Sequence, residues 1–138
     1  MAVQALASRL AELLDAAATV LAPLQFVSEP ARAATGPCDC TAGCAGRRAL
    51  LAGRFAAGQH SPTEQAELAG RAERGWRKHG LAITTRYDGG LGHEVVATTA
   101  DGDVVVFGIG PAGATLSGET GCVAVSGAAA GPEAMPDG

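Results

Sequence analysis

The four cysteines are the residues of this sequence whose chemistry is easiest to anticipate. Cys38, Cys40 and Cys44 lie within seven residues of one another, and Cys122 lies near the far end of the chain. Thiolates can form disulfides or bind soft metal ions such as zinc and copper(I). The spacing is not Cys-x-x-Cys, so it favours neither a zinc ribbon nor a thioredoxin-type redox pair.

Three states of the cysteines are compatible with the sequence, because four cysteines allow three pairings. The first is a structural disulfide, such as one between Cys38 and Cys122, and the second is a set of reduced, inert thiols. Neither of these needs a cofactor. The third is a zinc- or copper-binding or redox-responsive cluster, in which the ligands would be Cys38, Cys40 and Cys44 with Cys122, His60 or His93.

Histidines and carboxylates show no catalytic spacing. His60, His79 and His93 are isolated from one another, and none is spaced with an acidic residue as in a hydrolase or a zincin. Glu94 and Glu119 could be imagined as a catalytic acid and base, but positions at the exposed polar ends of strands explain these two residues better. The sequence therefore predicts a protein that is not an enzyme.

A glycine pattern follows an apolar run that predicts a strand. Gly108, Gly110 and Gly113 form Gly-x-Gly-x-x-Gly, which resembles the phosphate loop of flavin- and nicotinamide-dependent oxidoreductases. Such a loop must open a helix and lead to another parallel strand. Here Gly118 follows after only four residues, so we expect a hairpin turn around Pro111 and no dinucleotide cofactor.

Composition limits the size and class of the protein. The chain has 138 residues, of which 47% are hydrophobic and 17% are charged, and this is typical of one modest domain. The net charge of −4 argues against nucleic acid as a partner. The abundance of alanine and glycine, with a single lysine, suggests an actinobacterial genome.

Residues 1–24 predict an amphipathic helix. Leucines recur at intervals of three and four, while Arg9, Glu12 and Asp15 interrupt the apolar run. These charges exclude a secretory signal and a membrane span, which favours a cytoplasmic location. We expect the apolar stripe to pack on this domain's own core, and the alternative is a homodimer or a partner-binding helix.

The middle of the chain predicts a linker followed by two helices. Residues 25–40 contain prolines, glycine and the first cysteines without a period, as in a linker. A second helix is predicted from Thr41 to Gly58. A third begins at Ser61, where a capping hydroxyl, Pro62 and a carboxylate three residues on form a capping box, and it ends at Gly80.

The last part predicts strands, because the apolar period changes to two after Gly80. Residues 41–125 would then combine the helix pair with an antiparallel meander of four to five strands, and residues 126–138 would form a disordered tail. The predicted fold class is α+β, with a helical N-terminal half of about three helices packed on the meander.

Several short segments together resemble a family of small actinobacterial cell-envelope lipoproteins. They are residues 36–38 (Gly-Pro-Cys), Trp76 near a helix end, the hairpins, and residues 116–122 (Leu-Ser-Gly-Glu-Thr-Gly-Cys). In that family, a Gly-Pro-Cys segment and a late cysteine frame a domain of helices and a meander. The resemblance implies a Cys38–Cys122 bridge, a noncatalytic domain and a place in the cell envelope.

The leading functional hypothesis is a noncatalytic interaction domain with a protein partner. Its working surface would be the sheet face that the helices leave uncovered, together with any exposed part of the first helix. The rival hypothesis is the metal-binding or redox-responsive cysteine cluster. The residues predicted to form the surface are Arg86, Glu94, Thr98 and Phe107.

Overall fold

The computed structural model describes residues 3–28, 34–37, 47–120 and 123–124. This part of the chain contains two helices and eight strands. In chain order they are α1 (Val3–Thr19), β1 (Val27–Ser28), β2 (Ala34–Pro37), β3 (Arg47–Ala57), α2 (Pro62–Lys78), β4 (Ala82–Gly89), β5 (Gly92–Thr98), β6 (Val104–Gly110), β7 (Gly113–Glu119) and β8 (Val123–Ala124).

Five strands form an antiparallel sheet in the order β3-β7-β6-β5-β4. Short strands extend it at β3, which pairs with β1 and β2 on one side and with β7 and β8 on the other. Strands β4 to β7 follow one another through tight hairpins, so the predicted antiparallel meander and the α+β class are confirmed. The strands β1 and β2 lie within the predicted linker of residues 25–40.

The helix predicted from Thr41 to Gly58 is wrong, because residues Arg47–Ala57 form strand β3. Alanine, leucine and arginine favour a helix locally, but strand partners on both sides of β3 satisfy its backbone. In the structure, neighbouring side chains of β3 point to opposite faces, since Phe55 is exposed and Ala56 is buried. The described residues therefore contain two helices and not about three.

Helix α2 begins and ends as the sequence predicts. The Ser61 hydroxyl accepts a hydrogen bond from the Glu64 amide, and the Glu64 carboxylate accepts one from the Ser61 amide, which completes the capping box. At the other end, Gly80 adopts a φ of 89°, and the Leu81 amide donates to the Trp76 carbonyl. This turn directs the chain from α2 into β4.

Both helices pack on one face of the sheet, which we call the helix face. Trp76 of α2 is 1% exposed, and its indole Nε1 donates to the Ala17 carbonyl of α1 over 3.2 Å. Phe107 of β6 is fully buried beneath the helices. The core is built largely from small aliphatic residues and holds these two aromatic rings at its centre.

Helix α1 turns its apolar stripe toward the sheet, as expected for a helix that covers its own core. Leu10, Leu14 and Leu21 are at most 2% exposed. A homodimer through this helix stays a prediction. None of the described helices is long and apolar enough to cross a membrane.

Candidate functional site

The opposite side of the sheet, which we call the open face, has neither helix packed against it. Cross-strand register places its side chains in three rows. The central row runs Thr85, Val96, Val106, Ser117 and Gly53. The rows on either side of it are Tyr87, Glu94, Gly108, Thr115 and Phe55, and Ala82, Thr98, Val104, Glu119 and Leu51.

Exposed apolar side chains concentrate on the open face. Among the residues whose burial is described, five large apolar side chains are exposed, and three of them, Leu51, Phe55 and Tyr87, belong to its rows. Val27 pairs with Phe55 and extends the face at its edge, and Leu91 lies in the turn between β4 and β5. Leu51 and Phe55 lie on β3 and Tyr87 lies on β4, at opposite ends of the five-strand order, and the half-buried Val96, Val104 and Val106 lie on strands between them. An exposed apolar surface typically marks an interaction site.

Two carboxylates stand on this apolar surface. Glu94 lies between Tyr87 and Gly108, and Glu119 lies between Val104 and Leu51. Both side chains are exposed, and neither has an ion-pair partner among the described residues. The open face is therefore apolar and acidic.

Two arginines of the sheet form ion pairs with the helices on the helix face. Arg54 lies 2.6 Å from Asp15 of α1, and Arg86 lies 2.8 Å from Glu73 of α2. These pairs join the helices to the sheet. They also neutralise Arg54 and Arg86, so these two arginines do not pair with the acids of the open face.

Of the four residues predicted to form the surface, Glu94 and Thr98 lie on the open face, whereas Arg86 and Phe107 do not. Phe107 lies on the helix face of β6, where its side chain is fully buried in the core. Arg86 is displaced by a β-bulge between Ile83 and Thr85, which shifts the register against β5. A bulge adds one residue to a strand, so the faces of the residues after it are exchanged.

Among the described strands, the bulged strand β4 lies at one edge of the sheet, and this edge has features that oppose further strand pairing. A bulge and an inward-pointing charge, here Arg86, are features by which proteins prevent a further strand from pairing. These features make the addition of a further strand at β4 unfavourable.

The fold brings together a histidine and an aspartate at the end of the sheet, although the spacing of the histidines predicted no such pair. Asp88 and His93 face each other on β4 and β5, and His93 Nδ1 lies 2.6 Å from Asp88 Oδ1. Arg86 donates to the same aspartate oxygen over 2.9 Å and also donates to Glu73. The hydrogen bond with His93 and the charge of Arg86 lower the pKa of Asp88, against the opposing effect of burial.

This group has the composition of an acid–base pair, but its contacts are structural. Through Arg86 and Glu73 it ties the β4–β5 hairpin to α2. One sequence signal could have revealed this pair, which is the five-residue separation of Asp88 and His93. Two strands joined by a turn at residues 90–91 place these two positions opposite each other.

The glycine pattern near residue 110 forms a hairpin, as expected. Gly110 pairs with Gly113 across the two-residue turn of Pro111 and Ala112, and β6 and β7 run antiparallel. A dinucleotide loop would instead open a helix. The carbonyl of Pro111 accepts a hydrogen bond from the His60 amide, which fixes the start of α2 beside this turn.

All four predicted cysteine sites, Cys38, Cys40, Cys44 and Cys122, lie outside the described residues, as does the tail of residues 126–138. The described residues contain no cluster of three or more histidine, aspartate or glutamate side chains that could hold a metal ion. The cysteine pairing and the zinc or copper alternative therefore stay predictions.

Comparison with known proteins adds no functional assignment to this geometry. No protein-family model, no curated protein and no solved structure matches the chain.

Proposed function

We propose that this protein is a noncatalytic interaction domain that binds an apolar segment of a protein partner on its open face. The observation that carries the proposal is the exposure of Leu51, Phe55 and Tyr87 on that face, with Val27 at its edge, while the helices bury the apolar side chains of the other face. Sheets commonly bury one face and leave a polar one in water. Here the uncovered face is apolar at its centre.

The dimensions of the open face favour a short segment as the ligand. Five strands of about seven residues cover about 20 by 24 Å, since strands lie about 4.8 Å apart and rise about 3.4 Å per residue. That area is smaller than the roughly 800 Å² per partner that stable complexes of globular proteins bury. An extended segment of about seven residues would span it.

The interior of the open face is shaped for close contact. Val96, Val104 and Val106 form an apolar centre that is only half-buried. Gly108 beside Val106, and Gly53 beyond Ser117 in the central row, carry no side chain. A ligand can therefore approach the backbone at the two glycines and place its own side chains against the valines.

The test is selection of random peptides on the immobilised protein, followed by affinity measurement on two variants. Val106→Glu places a charge at the centre of the open face, and Ala66→Glu places the same charge on the exposed surface of α2. Selected peptides should bind the wild type and Ala66→Glu equally and bind Val106→Glu at least tenfold more weakly. Circular dichroism checks that both variants are folded.

Two results would contradict the proposal. One is a set of selected peptides that bind Val106→Glu as tightly as the wild type. The other is turnover of a small substrate that requires His93 or Glu94, which would make the protein an enzyme.

A further inference from the structure

We infer that the segment bound by the open face is basic. It has an apolar centre with one lysine or arginine side chain on each side. This inference rests on the proposed function and names the chemistry of the partner. The inference is based on Glu94 and Glu119, which are exposed on the open face and have no ion-pair partner among the described residues.

Charge is segregated between the two faces of the sheet. On the helix face, Arg54 and Arg86 are matched by Asp15 and Glu73 at 2.6 and 2.8 Å. In the three rows of the open face, no residue is basic, and the two glutamates remain. The partner must supply the matching charges, because carboxylates that lose water on binding need a cation or hydrogen-bond donors.

The positions of the glutamates define the spacing of those charges. Glu94 lies opposite Gly108 and Glu119 lies opposite Val104, so the two are four residues apart along β6 and two strand spacings apart across it. This places their Cα atoms about 17 Å from each other. Val106 lies midway between them, so an apolar centre flanked by two cations matches the face.

The same charges argue against a second copy of this chain as the occupant. Two open faces packed against each other would bring four glutamates together with no basic residue in the three rows of either face, and like charges across an interface are unfavourable. The face is also acidic where nucleic acid or an anionic lipid surface would need cations.

The test uses the same random-peptide selection and reads the sequences of the selected peptides. We expect lysine or arginine on both sides of apolar residues. The Glu94→Gln/Glu119→Gln double variant should bind these peptides about twofold to thirtyfold more weakly, as expected for two exposed ion pairs. Glu94→Lys/Glu119→Lys should instead select peptides rich in aspartate and glutamate.

A matched control removes the same two charges elsewhere. Glu12→Gln/Glu67→Gln alters exposed acids of α1 and α2 and should leave peptide affinity within twofold of the wild type. The association rate of the wild type should fall as salt is raised, and that of the Glu94→Gln/Glu119→Gln variant should fall less.

The possible failures are distinguishable. Peptides that need Val106 but lack basic residues would overturn the basic partner and leave the proposed function standing. Selection that yields only peptides insensitive to Val106→Glu would overturn both. A wild type that is dimeric in light scattering, and that Val106→Glu converts to a monomer, would show that a second copy is the occupant and would overturn the basic segment.

Discussion

Asp88 and His93 lie directly opposite each other on neighbouring strands, with 2.6 Å between Asp88 Oδ1 and His93 Nδ1. Arg86 contacts the same carboxylate from its own strand and reaches Glu73 on α2. The hairpin that ends beside the open face is thus tied to the helix layer on the other side of the sheet. This gives the hairpin a dependence on pH.

The first prediction concerns acid stability. The pKa of Asp88 is lowered from 3.8 by its hydrogen bond with His93 and by the charge of Arg86, so folding favours the ionised carboxylate. Its contribution is present above the unfolded value and is lost as pH falls through the lower folded value. Carbon-13 NMR of the Asp88 carboxyl should titrate below pH 3.8 in the wild type and closer to 3.8 in His93→Leu.

The control for this prediction is a comparison of two aspartates. Asp88→Asn should flatten the acid limb of the unfolding free energy measured in denaturant, because the variant has no carboxylate to protonate at this site. Asp101→Asn removes an equal charge from an exposed turn and should keep the wild-type limb. An Asp88 carboxyl that titrates above 3.8 would show that the contacts with His93 and Arg86 are absent in solution.

The second prediction concerns the contact between the helices. A Cβ atom at Gly75 would lie 2.7 Å from Val20 Cγ1, which is too close, whereas one at Gly70 would meet only the flexible end of Arg74 at 3.0 Å. Both glycines lie within α2, where alanine favours the helix by about 1 kcal/mol. Gly70→Ala should therefore raise the unfolding free energy, and Gly75→Ala should lower it by about 1 to 3 kcal/mol.

A double variant separates the clash from other effects. Val20→Ala removes the two methyls at 2.7 and 3.2 Å and keeps Val20 Cβ at 2.8 Å, so it relieves part of the clash. The loss in Gly75→Ala/Val20→Ala should be smaller than the sum of the two single losses, which is measured by denaturant unfolding. Additive losses would mean that the Val20 methyls do not contact position 75.

The third prediction uses neighbouring valines to test which face is covered. Val105 is fully buried on the helix face, and Val106 is half-buried on the open face. Val105→Ala should cost about 2 to 3 kcal/mol of unfolding free energy because it leaves a cavity. Val106→Ala should cost less than about 1 kcal/mol, the range of strand propensity. Equal losses would mean that both faces of β6 are covered.

The fourth prediction concerns the cysteines. The resemblance to envelope lipoproteins implies a bridge between Cys38 and Cys122, whose described neighbours, Pro37 and Val123, lie opposite the same residue, Arg48, on the two sides of β3. Thiol counting with elemental analysis should find two or four thiols missing and no metal. About one equivalent of zinc or copper, lost on substitution of Cys40 and Cys44, would support the rival cluster instead.

The sequence predicts well wherever a local pattern agrees with the tertiary structure. The capping box at Ser61 and the alternation along β5 each specify an element by themselves, and the structure contains those elements. Glycines in the short turns predict antiparallel pairing of the strands on either side, since a two-residue turn cannot connect parallel strands.

The failures share a physical cause, which is that long-range pairing overrides local preference. β3 is rich in helix-forming residues, but it is held by strands distant in sequence. The bulge near Thr84 exchanges the faces of the β4 residues that follow it, and no glycine or proline near Thr84 indicates it in the sequence. Arg86 therefore moved from the predicted surface to an ion pair with α2, and the open face had to be identified from the register.

The central claim is that ligands bind the open face, and methyl NMR of the valine-labelled protein with a selected peptide tests it most directly. Val96, Val104 and Val106 report on the open face, while Val95 and Val105, their neighbours in sequence, report on the helix face. We predict that peptide shifts the methyl signals of the first three and leaves those of the other two in place. Shifts confined to Val95 and Val105, or to residues of α1, would contradict the account.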